Sequence, residues 1–170
     1  MVRPLGMEDR IIPARPLTAE AFAPFGDVIE AEGAPDWLIN EGRCARFHDR
    51  ARLEFEGGRA GLSVFWAEGC ELPCEVGLLE RHPLGSQAFL PLSSEPFLVV
   101  VAPDAGGVPG RPVAFVTRPG QGVNYHRGVW HAVLTPLGTT AVFAVVDRIG
   151  GGANLEEVRL PRPWRIVAHG

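Results

Sequence analysis

The chain has few cysteines, no long apolar run and no surplus of positive charge, and each absence removes a class of function. Three cysteines, Cys44, Cys70 and Cys74, leave an odd count and no disulfide framework. A reducing, cytoplasmic setting is the simplest expectation. Cys70 and Cys74 have three residues between them, where a redox or zinc CxxC pair has two, and no second pair exists. They read as incidental. No apolar run is long enough to cross a membrane; the best candidate, Pro96 to Ala102, is strand-sized. Met1 to Arg15 lacks the apolar stretch of a secretory signal. Acids outnumber bases, 20 to 16, and nothing gathers into a basic stripe, which argues against nucleic acid as a partner. The net charge of −4 still allows an anionic substrate, because a site can be locally cationic. No repeat and no low-complexity linker divides the 170 residues, which suit one domain, 1–170.

What the chain has in abundance is glycine, 21 residues, and proline, 16, scattered between short apolar runs. Many short strands and turns need this arrangement. Residues 1–12 read as a loose arm and 161–170 as a tail. Thr18 to Phe22 predicts a short helix with Thr18 as N-cap, ended by Pro24 and Gly26. Ala51 to Glu56 alternates apolar and polar, the period of a half-buried strand, and Gly57-Gly58 follows as a hairpin signal. Further strands are expected over 60–66, 76–82, 87–92, 97–102, 113–117, 131–134 and 140–147. Phe97 to Ala102 is apolar throughout, which fits either buried core or an edge. The sum is an all-β sandwich or barrel with one or two short helices.

Two stretches could do chemistry. On a strand, Glu80 and His82 point to the same side, ~7 Å apart along the chain. They could chelate a divalent metal, act as an acid–base pair, or be a solvated strand end. Gln87 returns beside them after the turn at Pro83 to Gly85. The second stretch runs from Gly120 through His126 and Gly128 to His131, and holds two of the chain's five histidines. An odd separation keeps one straight strand from facing both inward. Gly128 offers a break that could reconcile them; without it only one faces a pocket.

Together these stretches resemble the two motifs of the cupin superfamily. The first cupin motif places His-x-His, then Glu, then Gly; here those places hold Glu80, His82, Gln87 and Ser94. The second places Gly, Pro, Gly, His and Asn; here they hold Gly120, His126, Gly128, His131 and Thr135. The spacing fits, although Glu replaces the first His, Gln the Glu and His the Pro. The resemblance implies a double-stranded β-barrel, a jelly roll, with a metal on Glu80, His82, Gln87 and His131. Gln87 is the weakest of these ligands, and a metal-free site also fits the pattern.

Longer segments narrow the resemblance. Leu79-Glu-Arg-His-Pro-Leu-Gly-Ser-Gln-Ala-Phe-Leu-Pro-Leu and Pro119-Gly-Gln-Gly-Val-Asn-Tyr-His-Arg-Gly-Val-Trp-His are similar to the ureidoglycolate lyase family, as are Ala21 to Glu30, Ile39 to Asp49 and Asp147-Arg148. The match runs from about Pro16 to Leu160. It implies a homodimeric enzyme of allantoin and purine breakdown that converts ureidoglycolate to glyoxylate and urea, with nickel or a similar divalent ion. On that basis His126, the histidine beyond the metal pattern, is the expected proton carrier, with Glu80 as the alternative base if no metal binds. Arg46 is expected to grip the substrate carboxylate, accompanied by Asn40 and His48, unless it forms a surface ion pair with Asp49 or Glu54. Arg118 and Arg127 are further anion holders, and Arg148 reads as structural. Competing readings are an amidohydrolase that releases ammonia from the same substrate, another cupin enzyme such as a sugar isomerase or dioxygenase, and a non-catalytic ligand-binding cupin.

Overall fold

Residues 10–170 are described by the computed structural model of the chain. Among them, strand follows strand with one short helix: β1 (Ile11–Pro16), α1 (Ala19–Phe22), β2 (Gly26–Ile29), β3 (Trp37–Ile39), β4 (Cys44–Arg46), β5 (Arg59–Ala67), β6 (Cys74–Arg81) and β7 (Gln87–Pro91). The second half adds β8 (Phe97–Ala102), β9 (Val113–Val116), β10 (Gly122–Tyr125), β11 (Trp130–Ala132), β12 (Thr135–Pro136), β13 (Ala141–Ile149) and β14 (Glu156–Ala168). Thr18 caps α1 as its residue type predicts, its hydroxyl accepting from the Ala21 N–H at 3.2 Å.

Two sheets build a jelly roll. One contains the run β6-β11-β8-β9, and the other the run β5-β13-β7-β10 with β2 added beyond β10. Between them lies a core of Phe89, Phe97, Val99, Val101, Phe115, Val123, Phe143 and Val145. The first sheet does more. β14 and β1 continue from β6 round to β9, and the β11–β8 pairing closes six strands into a ring. The ring has its own core, with Ile12, Leu98, Val100, Trp130 and Ile166. β8 therefore has a core on each face: Phe97, Val99 and Val101 point into one and Leu98, Val100 and Ala102 into the other. This is why all six residues are apolar, and it settles β8 as buried core rather than an edge.

Three sequence expectations are corrected. The loose arm was expected to reach Ile12; residues 1–9 lie outside the described residues, but Ile11 and Ile12 belong to β1, and Ile12 is buried in the ring core. The tail 161–170 is mostly the second half of β14, where Ile166 is fully buried against the same core. Both segments are needed because the ring lacks a wall without them. Ala51 to Glu56 is not a strand. Two of its backbone donors go to side chains, Arg52 N–H to Asp27 Oδ2 at 2.9 Å and Glu54 N–H to Ser86 Oγ at 2.9 Å, and only the Glu56 N–H reaches a backbone carbonyl, that of Leu84. Only Phe55 bridges, to Gly85, and β5 pairs with β13 rather than in a hairpin through Gly57-Gly58.

Candidate active site

Strand alternation decides what faces the space between the sheets. On β11, Trp130 and Ala132 turn into the ring core, so His131 turns the other way. On β6, Leu79 enters the ring core and Glu80 faces with His131, its direct cross-strand neighbour. His82 follows two residues on. Across the gap, Gln87 shares the inward side of β7 with Phe89 and pairs in register with Tyr125 of β10. Asp147 continues the inward series Phe143, Val145 on β13.

The ligand atoms of Glu80, His82 and His131 lie within 4.8 Å of one another. Hydrogen bonds fix both imidazoles. His82 Nδ1 donates to the Asn154 carbonyl at 2.8 Å, and His131 Nδ1 donates to the Ala132 carbonyl at 2.9 Å. Each Nε2 lone pair is thereby aimed into the site, which is the second-sphere arrangement that orients metal-binding histidines. His131 Nε2 is buried with no hydrogen-bond partner, an arrangement that is costly unless something else takes the lone pair. His82 Nε2 faces Gln87 Oε1 at 3.1 Å, one acceptor against another whenever the ring is neutral, while Gln87 Nε2 donates to Asp147 Oδ2 at 3.2 Å. Rotating the amide only moves the conflict to Asp147. A cation shared by the two acceptors removes it. The donor set of two imidazoles, one carboxylate and one amide oxygen suits a divalent first-row ion.

Electrostatics agree with this geometry. Burial pushes His131 down to about 3 from its ordinary value of 6.5, so the ring is neutral and able to ligate. Burial also raises the Glu80 carboxyl, partly offset by His82. Tyr125, pushed up by burial and then by the charge of Glu80, remains a phenol, and its ring stacks on His131 at 4.2 Å between centroids. The pocket, about 390 Å³, is lined by Glu80, Gln87, Phe65, Trp66, Phe89 and Leu134 among others. It opens beside β5, the last strand of its sheet.

Not every expected residue arrives here. Gly128, at φ +76°, makes the predicted break, and the Val129 N–H closes a turn onto the His126 carbonyl at 3.1 Å. The break does not bring both histidines inward. Tyr125 takes the inward place, so His126 points out with Asn124, and its Nε2 meets Asp27 Oδ2 at 2.9 Å on the far side of the sheet. The same Asp27 oxygen accepts from Asn124 Nδ2 at 3.0 Å. Burial opposes ionisation of Asp27, but the Asn124, Arg52 and His126 contacts together hold its carboxyl below the usual range.

The β3–β4 hairpin also lies outside. Arg46 shares a cavity of about 600 Å³ with Ile39, Arg50 and the outward Leu90, and no metal-ligand residue lines it. Its guanidinium sits 5.4 Å from the Trp37 ring, and the ion pair with Asp49 or Glu54 does not form. His48 lies against Trp37, its ring tilted by 57° at 4.6 Å between centroids, and Asn40 is exposed at the hairpin turn. Arg118 pairs with Glu30, and Arg127 with Glu56, so neither is free to hold an anion. Arg148 is structural, donating to the Gly57 and Gly151 carbonyls. Burial and a Cys70 contact push the Cys74 thiol up to about 12, consistent with an unreactive pair. Two participants escaped the sequence reading. Asp147 had a signal, standing two residues beyond the inward Val145. Asn154, whose carbonyl orients His82, had none.

A jelly roll that gathers imidazoles, a carboxylate and an amide oxygen between its sheets is a cupin-type protein with a divalent-metal donor set. Comparison with known proteins makes the class specific. A family model described as ureidoglycolate lyase matches residues 9–167, and the chain belongs to that family. It is similar to the ureidoglycolate lyase of Rhodobacter capsulatus, 63% identical over 89% of this chain and 94% of that protein. The ureidoglycolate lyase of Chelativorans sp. is 56% identical over 92% and 96%. Among solved structures, a dTDP sugar isomerase from Desulfovibrio desulfuricans G20 covers 81% of this chain and 83% of its own at 20% identity, with a TM-score of 0.41.

Proposed function

We propose that this chain is a ureidoglycolate lyase, eliminating urea from ureidoglycolate to leave glyoxylate. The observation that carries the reading is the orphaned Nε2 of His131 beside Glu80 and His82, in a chain matched to the family over residues 9–167. The substrate carries a carboxylate, a hydroxyl and a ureido nitrogen on one carbon. In the reaction the hydroxyl loses its proton, the C–O pair becomes a carbonyl, and the C–N pair leaves on nitrogen, which takes up a proton. Urea and glyoxylate result, with no oxidant and no net water.

Glu80, His82 and His131, with Gln87 Oε1, would hold the divalent ion, for which the family resemblance implies nickel or a similar metal. Such an ion would supply Lewis-acid charge stabilisation and a lowered pKa for the substrate hydroxyl. The protein's own groups do the rest. With the ion bound, Glu80 serves as a ligand; in a metal-free site, where burial raises its affinity for protons, Glu80 is the group placed to take the hydroxyl proton and deliver it to the departing nitrogen. Gln87 is held by Asp147 and fixes the amide oxygen towards His82. Phe65, Phe89 and Leu134 line the pocket and exclude water from the reacting carbon. His126, facing away, is assigned no proton transfer. The chain has no lysine, so no ε-amine is available to form an imine with the aldehyde product.

A homodimer in a reducing cytoplasm completes the reading. The three cysteines are free thiols, and the outward side of β5 carries exposed Leu62, Val64 and Trp66. No helix among the described residues is long and apolar enough to cross a membrane. The test is product analysis from ureidoglycolate, before and after chelation and metal return. Urea and glyoxylate in equal amounts, lost on chelation, are expected; ammonia in place of urea would assign an amidohydrolase.

A further inference from the structure

The sheet that carries the pocket has an outer face built like a buried one. On β5 the inward side holds Gly61, Ser63, Phe65 and Ala67, whereas the outward side holds the larger Leu62, Val64 and Trp66, exposed by 75%, 67% and 71%. The patch continues through Val142 and Ala144 of β13 to Leu90 and the exposed Leu92 beside β7. Monomers rarely expose a contiguous apolar face of this kind, more than a few hundred Å². At the other side of the face, beyond β13, the β3–β4 hairpin stands off the sheet. The cavity of about 600 Å³ separates its Ile39 and Arg46 from Leu90 and Gly122 beneath. Trp37 and Leu38 on the hairpin are exposed as well.

Arg46 and the pocket each lack what the other has. Among the described residues Arg46 meets no carboxylate, only the Trp37 ring. The pocket holds Glu80 but no arginine among its lining residues, although its proposed substrate is a carboxylate. Within one chain the two are kept apart by the sheet itself, since Gln87 and Phe89 of β7 face the pocket and Leu90 faces the hairpin cavity.

We infer that a second copy of this chain packs on this outer face and that its hairpin brings Arg46 to the rim of the pocket, so that each active site is completed in trans. Strands β7 and β5 flank β13 on opposite sides, each ~4.8 Å away. A two-fold axis lying above the outer face and running along β13 therefore sets the two outer faces against each other and carries the hairpin side of one copy onto the β5 side of the other, as a self-complementary interface requires. Trp66 belongs to both surfaces, exposed on the apolar face and lining the pocket with Glu80, so an arginine delivered over β5 arrives at the mouth. There a planar guanidinium can grip a carboxylate with two parallel hydrogen bonds. The identity of that carboxylate rests on the lyase reading; the interface does not.

Two measurements test this. Sedimentation should give a dimer for the wild-type protein and a monomer for Leu62→Arg/Val64→Asp, whose native side chains are too exposed in one chain for the change to unfold it; unchanged bound metal in that variant checks that it is folded. In the second, Arg46→Ala and Glu80→Gln are each assayed alone, where Arg46→Ala should lower kcat/KM ~10²-fold. The two are then refolded together in equal amounts. Half the dimers are mixed and each has one intact site, so about a quarter of wild-type activity should return. A monomeric wild type, a fully active Arg46→Ala, or a mixture no more active than its parents overturns the inference. Sedimentation needs no substrate. Failure of the lyase reading shows instead as wild-type protein that is dimeric yet releases no urea.

Discussion

On its inner face the five-stranded sheet sets Gln87, Tyr125 and Asp147 against Glu80, His82 and His131; on its outer face the same strands carry Asp27, Asn124 and His126. Each face has a histidine, and the two could hardly be treated more differently. His131 is 1% exposed, its Nδ1 tied to a carbonyl and its Nε2 left without a partner. His126 is about one-third exposed, and a carboxylate takes its Nε2. A buried imidazole without a counter-charge stays neutral and offers a lone pair; one paired to a carboxylate is already satisfied. The proposed function accordingly assigns chemistry to the first and local structure to the second.

The largest effect should come from the carboxylate on the inner face. Glu80→Gln is expected to lower kcat by ~10²–10⁴-fold, read as urea release. Next, His131→Ala should weaken metal binding by more than the ~10–100-fold that loss of an outer partner costs, measured by titration with nickel. The third test uses pH on metal-free protein. Folding holds His131 at about 3 against an ordinary 6.5, so the unfolded chain binds the proton more readily. The stability this contributes is complete above pH 6.5 and is lost as pH falls towards 3, by roughly 1 kcal/mol per pH unit. His131→Phe, which keeps a ring on Tyr125, should flatten that slope in denaturant titrations. Asp27 adds a loss of the same sign only below its ordinary 3.8. The smallest effect belongs to the outer face: His126→Ala should cost about 1 kcal/mol or less and leave nickel affinity unchanged. A large fall in kcat with that variant would erase the contrast between the faces.

The inner face was legible because it repeats a simple rule. Glu80 and His82 lie two apart on a strand, and the glycine at 128 marks the break before His131, so the resemblance to the two cupin motifs could join them in one expected ligand set. The outer position of His126 was not legible. It depends on which of Tyr125 and His126 takes the inward place, and that is decided by the register of β10 against β2 and β7. The alternation of Ala51 to Glu56 misled for a related reason: the pattern was real, but Asp27 and Ser86 supply its hydrogen bonds. The closing strand β14 escaped because most of its residues are exposed and its irregularity between Arg159 and Trp164 breaks the period. Arg46 was expected to grip the substrate carboxylate or to pair with Asp49 or Glu54; no spacing could show that it meets the Trp37 ring instead and that a sheet stands between it and the pocket.

The central claim is that urea leaves ureidoglycolate at the Glu80–His82–His131 pocket. Urea, glyoxylate and ammonia measured together from ureidoglycolate, with wild-type and His131→Ala protein side by side, test it most directly. The account predicts urea and glyoxylate in a one-to-one ratio from the wild type and almost none from the variant. Ammonia as the nitrogen product, or urea release undiminished in His131→Ala, would contradict it.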